Sequence, residues 1–147
     1  MKPVALIAVL AFLQQPAAPP TSLPGQPCTA SSVVGTWQFV ERTRGPATDL
    51  GDLTAYKHVT PTHFIVTRVS GQGLVDSAHG GSQAFVKGSH TETLEFFTTH
   101  ERFAKVSRGA QVSYTCAMDG DEWRIAGRFN DVAVEERWRR VGSGPGA

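Results

Sequence analysis

Helical periodicity is nearly absent from this chain. No window of about a dozen residues repeats apolar side chains at i, i+3, i+4 and i+7, so helix bundles and helix-backed sheets are not expected. The 15 glycines cut through most candidate helices. Charge of one sign is lacking too: 14 Lys and Arg stand against 13 Asp and Glu, a formal +1. A nucleic-acid partner, which calls for a net basic surface, is therefore not expected. Arg137, Arg139 and Arg140 cluster, but in a segment that alternates like a strand, so packing or a solvated face explains them. Metal-ligand spacing is missing. His58 and His63 are an odd number of residues apart and fall on opposite faces of a regular strand, and His79 and His90 lie far apart on a hairpin. Zinc needs about three protein ligands close together, so neither a metal nor another cofactor is expected. His79-Gly80-Gly81-Ser82 has an oxyanion-loop look, but no Gly-x-Ser-x-Gly accompanies it. We read it as a bend.

Long apolar runs are limited to Val4 to Leu13, behind a positive Met1-Lys2 and ahead of Gln14-Gln15-Pro16-Ala17-Ala18. That run is signal-peptide length, against the roughly 20 residues a membrane-spanning helix needs. A signal peptide over residues 1–18 is expected, cut between Ala11 and Ala18, with a secreted or periplasmic product and no integral membrane segment after its removal. Losing Lys2 takes the remaining charge to zero. Five prolines between Pro16 and Pro27 then mark a Pro-rich linker over 19–29. One domain is expected over 30–141, with a compositionally disordered tail over 142–147.

The cysteines are Cys28 and Cys116 alone. In an exported chain an even count suggests a disulfide, with two free thiols as the alternative.

What fills the domain is period-two alternation between turn signals. Gly35 to Thr43 sets Trp37 and Phe39 against Thr36 and Gln38; Arg44 to Lys57 reads as irregular; His58 to Val69 reads as one long strand, uneven at Pro61. Leu74 to Val86 follows, with a break or sharp bend at Gly80-Gly81, then His90 to Phe97, Ala110 to Met118, Glu122 to Phe129 and Val132 to Val141. About eight consecutive antiparallel strands hide their edges best by closing. The expected fold is therefore all-β, a single antiparallel up-and-down barrel with room inside for side chains or one small ligand.

Gly35-Thr36-Trp37 at the first strand and the arginine-rich Val134 to Val141 at the last resemble the calycin superfamily, lipocalins and fatty-acid-binding proteins. The resemblance implies that Trp37 plugs the barrel base and that a late arginine packs over it. Lys57-His58-Val59-Thr60-Pro61-Thr62-His63-Phe64, the Gly80-Gly81 step, Thr91-Glu92-Thr93-Leu94-Glu95 and Glu135-Glu136-x-Trp138 resemble more closely small exported bacterial proteins known only as lipocalin-like. That likeness covers most of the domain and implies no chemistry. The chain lacks both a lipocalin's C-terminal helix and a helical lid, so no ligand class comes with it.

Strand parity gives an inward list. Leu94 and Phe96 share a face with Glu92 and His90; Val134, Glu136 and Trp138 share another; Phe64, Val66 and Arg68 oppose His63, Ile65 and Val69, both faces being apolar enough that the orientation of that strand stays open. A two-residue turn within Lys87 to His90 sets Phe85 opposite Glu92 and Gln83 opposite Leu94. Candidate ligand-binding residues are Trp37, Phe64, Arg68, Phe85, Glu92, Phe96, Glu136 and Trp138; no catalytic residue is assigned. Two carboxylates on an apolar face must be paired, protonated or wet. The leading expectation is a barrel that binds an unknown small, partly polar or amphipathic molecule. The alternatives are an acid/base isomerase or hydrolase working through Glu92 or Glu136, and an envelope interaction protein with a filled core.

Overall fold

Alternation between a solvated and a buried side, punctuated by Gly, Pro and Asx turns, leaves the backbone satisfied only if every strand finds two neighbours. The computed structural model describes residues 22–86, 88–129 and 132–142. The expected leader and nearly all of the expected tail lie outside these. Eight strands form the wall: β2 (Gly35–Arg44), β3 (Leu53–Val59), β4 (His63–Ser70), β5 (Val75–Val86), β6 (Ser89–Phe97), β7 (Gln111–Asp119), β8 (Glu122–Phe129) and β9 (Val132–Arg140). Each pairs antiparallel with its sequence neighbour, and β9 pairs back onto β2. The sheet is thus a closed up-and-down barrel.

The strand boundaries differ from the expected ones in two offsetting ways. Within the segment read as irregular, Leu53–Val59 is a strand, and Thr60-Pro61-Thr62 is a hairpin turn rather than a flaw in one strand. The Thr60 amide donates to the His63 carbonyl at 2.9 Å and the His63 amide to Thr60 Oγ1 at 2.9 Å, while Pro61 sits where no donor is required. In exchange, Gly80-Gly81 does not divide β5, which runs unbroken over 12 residues. The bend there is a β-bulge against β6.

The expected tether gives way to structure before residue 29. β1 (Gln26–Pro27) pairs with Ala117 and Met118 of β7, above the point where β6 begins. Cys28 is bonded to Cys116, with Cα atoms 5.5 Å apart and 88 residues between them. Thr29 then caps the single-turn helix α1 (Ala30–Val33) through a capping box with Ser32.

This stub closes one end of the barrel. Trp37, with no exposed surface, donates from its indole to the Val33 carbonyl at 2.8 Å. The Arg140 guanidinium lies 4.1 Å from the Trp37 ring centre and donates to the Ser32 and Val34 carbonyls at 2.7 and 2.8 Å. Gly35, at φ +139°, admits that guanidinium where a side chain would collide with it. At the opposite end lie the loops 45–52, 71–74 and 98–110. There the turn Glu101–Phe103 buries Phe103 against His79 and Phe97, ring centres 5.2 and 5.6 Å away.

Candidate functional site

Inside the barrel, towards the end opposite α1, is a cavity of about 240 Å³. Its wall is apolar over most of its extent, with Phe39, Phe64, Val66, Ile125, Val134 and Trp138 from four strands. Five charged side chains also reach it: Arg42, Lys57, Arg68, Glu92 and Glu136.

Of the candidate residues, Phe64, Arg68, Glu92, Glu136 and Trp138 are brought together on this lining. Three are not. Trp37 lies below it as part of the base plug. Phe85 faces inward but lies deeper than the cavity, stacked on the His90 ring at 4.4 Å. Across the β5–β6 connection Val86 stands opposite Ser89, so the register is two residues away from the expected one. Phe85 therefore opposes His90, and Gln83 opposes Glu92. Phe96 is 47% exposed on the outer surface. Gly80 pairs with Phe96 and Gly81 with Leu94, leaving Glu95 as an extra residue; that bulge reverses the parity beyond it. Phe97 faces Phe103 instead.

The polar residues form two groups at different depths. In the deeper one, Lys57, 2% exposed, is ion-paired with Glu92. Its ammonium is ringed by Trp123, Phe64 and Trp138 at 5.0, 5.3 and 5.5 Å from the ring centres. Burial raises the Glu92 carboxyl above its ordinary range, with Lys57 pulling it back. Below them His90 is fully buried, its Nε2 3.0 Å from Gln83 Oε1 and 3.5 Å from Glu92. Gln83 donates from Nε2 to the carbonyls of Thr60 and His63 at 2.6 and 3.0 Å, which fixes its oxygen as the acceptor. His90 must then carry its proton on Nε2, leaving Nδ1 without a partner. Desolvation, then the Lys57 charge, lowers His90 to about 2, so the ring is neutral.

Nearer the mouth, Arg42 donates from Nε and Nη2 to Glu136 Oε1 at 3.2 and 2.6 Å and from Nη1 to the Pro46 carbonyl at 3.2 Å. The Trp138 indole donates to Glu136 Oε2 at 3.2 Å. Burial lowers Arg68, and the Asp76 charge opposes that shift. Tyr114, also on the lining, is held well above its ordinary range by burial and then by the Glu92 charge.

Sequence parity missed Arg42 and Lys57. Arg42 belongs by strict alternation to the outer face of Thr36 and Gln38. A bulge between Phe39 and Glu41 turns it inward to Glu136. The signal for Lys57 was present but unused: Ala55, Lys57 and Val59 alternate as one buried face of a strand.

No protein-family model matches the chain, and no curated protein matches it significantly. Among solved structures, an uncharacterized protein from Bacteroides eggerthii DSM 20697 superposes with a TM-score of 0.53 at 11% identity, over 74% of this chain and 98% of that one. A lipocalin-like protein from Bacteroides uniformis ATCC 8492 does so with a TM-score of 0.52 at 8% identity, over 74% and 97%. The fold is lipocalin-like. At such identities the likeness speaks for the architecture alone. Among the described residues, the lipocalin-like barrel has no helix long and apolar enough to cross a membrane. Its disulfide is of the kind expected outside a reducing cytoplasm.

Proposed function

We propose that this is an exported lipocalin-like barrel that takes a small amphipathic molecule into its cavity. The supporting observation is the interior space of about 240 Å³, walled by aromatic and aliphatic side chains and interrupted by a few converging charges. That is the usual make-up of a ligand site, and the volume lies just below the roughly 300–1,000 Å³ typical of sites for drug-sized molecules. A long-chain lipid does not fit this space; a compact molecule does. Phe64 and Trp138 serve as its wall, and Arg68, Glu92 and Glu136 give that wall its polar character. The apolar run Val4 to Leu13 and the Cys28–Cys116 bridge support export.

Titration against a panel of small metabolites, read by tryptophan emission, tests this through Trp138 on the cavity wall. The expected result is a saturable change for at least one compound, lost in Ala55→Leu, which fills space at the lining. No saturable change with any compound removes the reading. A second reading, acid/base chemistry, draws on Glu92, a carboxyl raised by burial at the cavity wall. It predicts a turnover abolished by Glu92→Gln. The interaction-protein reading with a filled core gains no support from a barrel that holds a cavity.

A further inference from the structure

The charges on the cavity wall do not balance. Glu136 is taken by Arg42, which spends its remaining donor group on the Pro46 carbonyl. Glu92 is taken by Lys57. The third cation, Arg68, lines the same cavity. Among the described residues its guanidinium makes no hydrogen bond and no ion pair. Asp76 influences it electrostatically, but that carboxylate is not part of the lining and lies 3.8 Å from His100. A half-buried guanidinium with five unused donors is a costly group to leave without acceptors.

We propose that the occupant of the cavity carries an acidic head group, a carboxylate or a like planar anion, received by the Arg68 guanidinium. This rests on the binding reading above and specifies its ligand class. A guanidinium fork matches a planar anion bidentately, and the resulting charge-assisted bonds are about twice as strong as neutral ones. The body of such a ligand extends from Arg68 along Phe64, Ile125 and Trp138. The cavity volume restricts it to a small aryl or short alkyl acid. Glu92 and Glu136 are then internal counter-ions that hold Lys57 and Arg42 in place, rather than anchors for a cationic guest. A ligand amine is disfavoured, because it adds a fourth positive charge to a wall with two carboxylates already engaged.

The experiment uses three probes with one body and different heads: 4-phenylbutyrate, 4-phenylbutanol and 4-phenylbutylamine. They are titrated calorimetrically into the disulfide-intact protein. The acid should bind about tenfold or more tighter than the alcohol, consistent with one charge-assisted bidentate contact, and the amine should bind weakest. Arg68→Gln should remove the acid's advantage over the alcohol, the two being compared on the same variant; Arg68→Lys should retain part of the preference. An alcohol or amine that binds as tightly as the acid overturns the acidic class while leaving cavity binding intact. A preference for the acid that survives Arg68→Gln overturns the role of Arg68. Binding by none of the three overturns the underlying reading and this proposal with it. If Arg68→Gln fails to fold, the ranking of the three probes on the unaltered protein decides.

Discussion

Lys57 and Glu92 depend on one another because each is buried where a lone charge is costly. Glu92→Gln leaves the Lys57 ammonium among three aromatic rings without a counter-charge, and a loss of about 3–5 kcal/mol is expected. Lys57→Met with Glu92→Leu removes both charges and should recover most of that loss. Urea denaturation of the two single variants and the double variant checks this; a double variant as unstable as the singles contradicts it. His90 adds a pH dependence with a definite sign. Its folded value, about 2, lies below the ordinary 6.5. The unfolded chain therefore takes up a proton that the folded chain refuses. The stabilisation is complete above pH 6.5 and is lost as pH falls from there towards 2. Glu92, raised above 4.5, acts in the opposite sense, destabilising as pH rises past that value. Comparison with His90→Phe isolates the histidine: the unaltered protein should lose about 2 kcal/mol more than the variant between about pH 7.5 and 5. Equal losses would show that His90 titrates normally.

Strands decide which of these side chains meet, and bulges decide where parity fails. Two bulges account for two of the departures from simple alternation. One in β2 brings Arg42 in, and one in β6 sends Phe96 out. Gly81 is what permits the second. A Cβ at that position would be driven into the Thr93 carbonyl and the Glu95 amide. Gly81→Ala should cost about 2 kcal/mol or more by forcing the β5–β6 ladder apart. Gly71→Ala, in a turn with open space around it, should change stability by less than about 0.5 kcal/mol. Thermal unfolding of both variants tests the contrast, and equal effects would refute the steric role of Gly81. Parity within unbroken stretches was readable: Phe64, Val66 and Arg68 face inward together, as do Val134, Glu136 and Trp138. Bulges were not, because nothing in a sequence of alternating residues marks which one will be left unpaired.

At the scale of the molecule, closure and the base plug hold the barrel together. Trp37, Arg140 and the α1 stub join the first and last strands at one end. The Cys28–Cys116 bond fastens the incoming chain to β7 beside that plug. Because this bond closes a loop of 88 residues, its loss releases considerable chain entropy in the unfolded state. Cys28→Ala with Cys116→Ala should therefore lower stability by about 4 kcal/mol. Denaturant unfolding measures it; a difference below about 1 kcal/mol would mean that the unfolded chain is already compact there.

The sequence by itself determined the class of fold. Alternation without helical periodicity admits only sheet, and eight strands in series with short connections have no better way to hide their edges than to close. It also placed Glu92, Glu136 and Trp138 on inward faces and Phe64 with Arg68 on one shared face, without deciding which way that face points, because alternation is a local property of an extended backbone. Only the tertiary structure decided depth and partnership. Whether an inward residue lies in the base, like Trp37, or on the cavity wall, like Trp138, depends on its height along a barrel whose register is set by turns and bulges. Which charge neutralises which depends on strands far apart in the chain: Arg42 with Glu136, Lys57 with Glu92, and Arg68 without a carboxylate of its own.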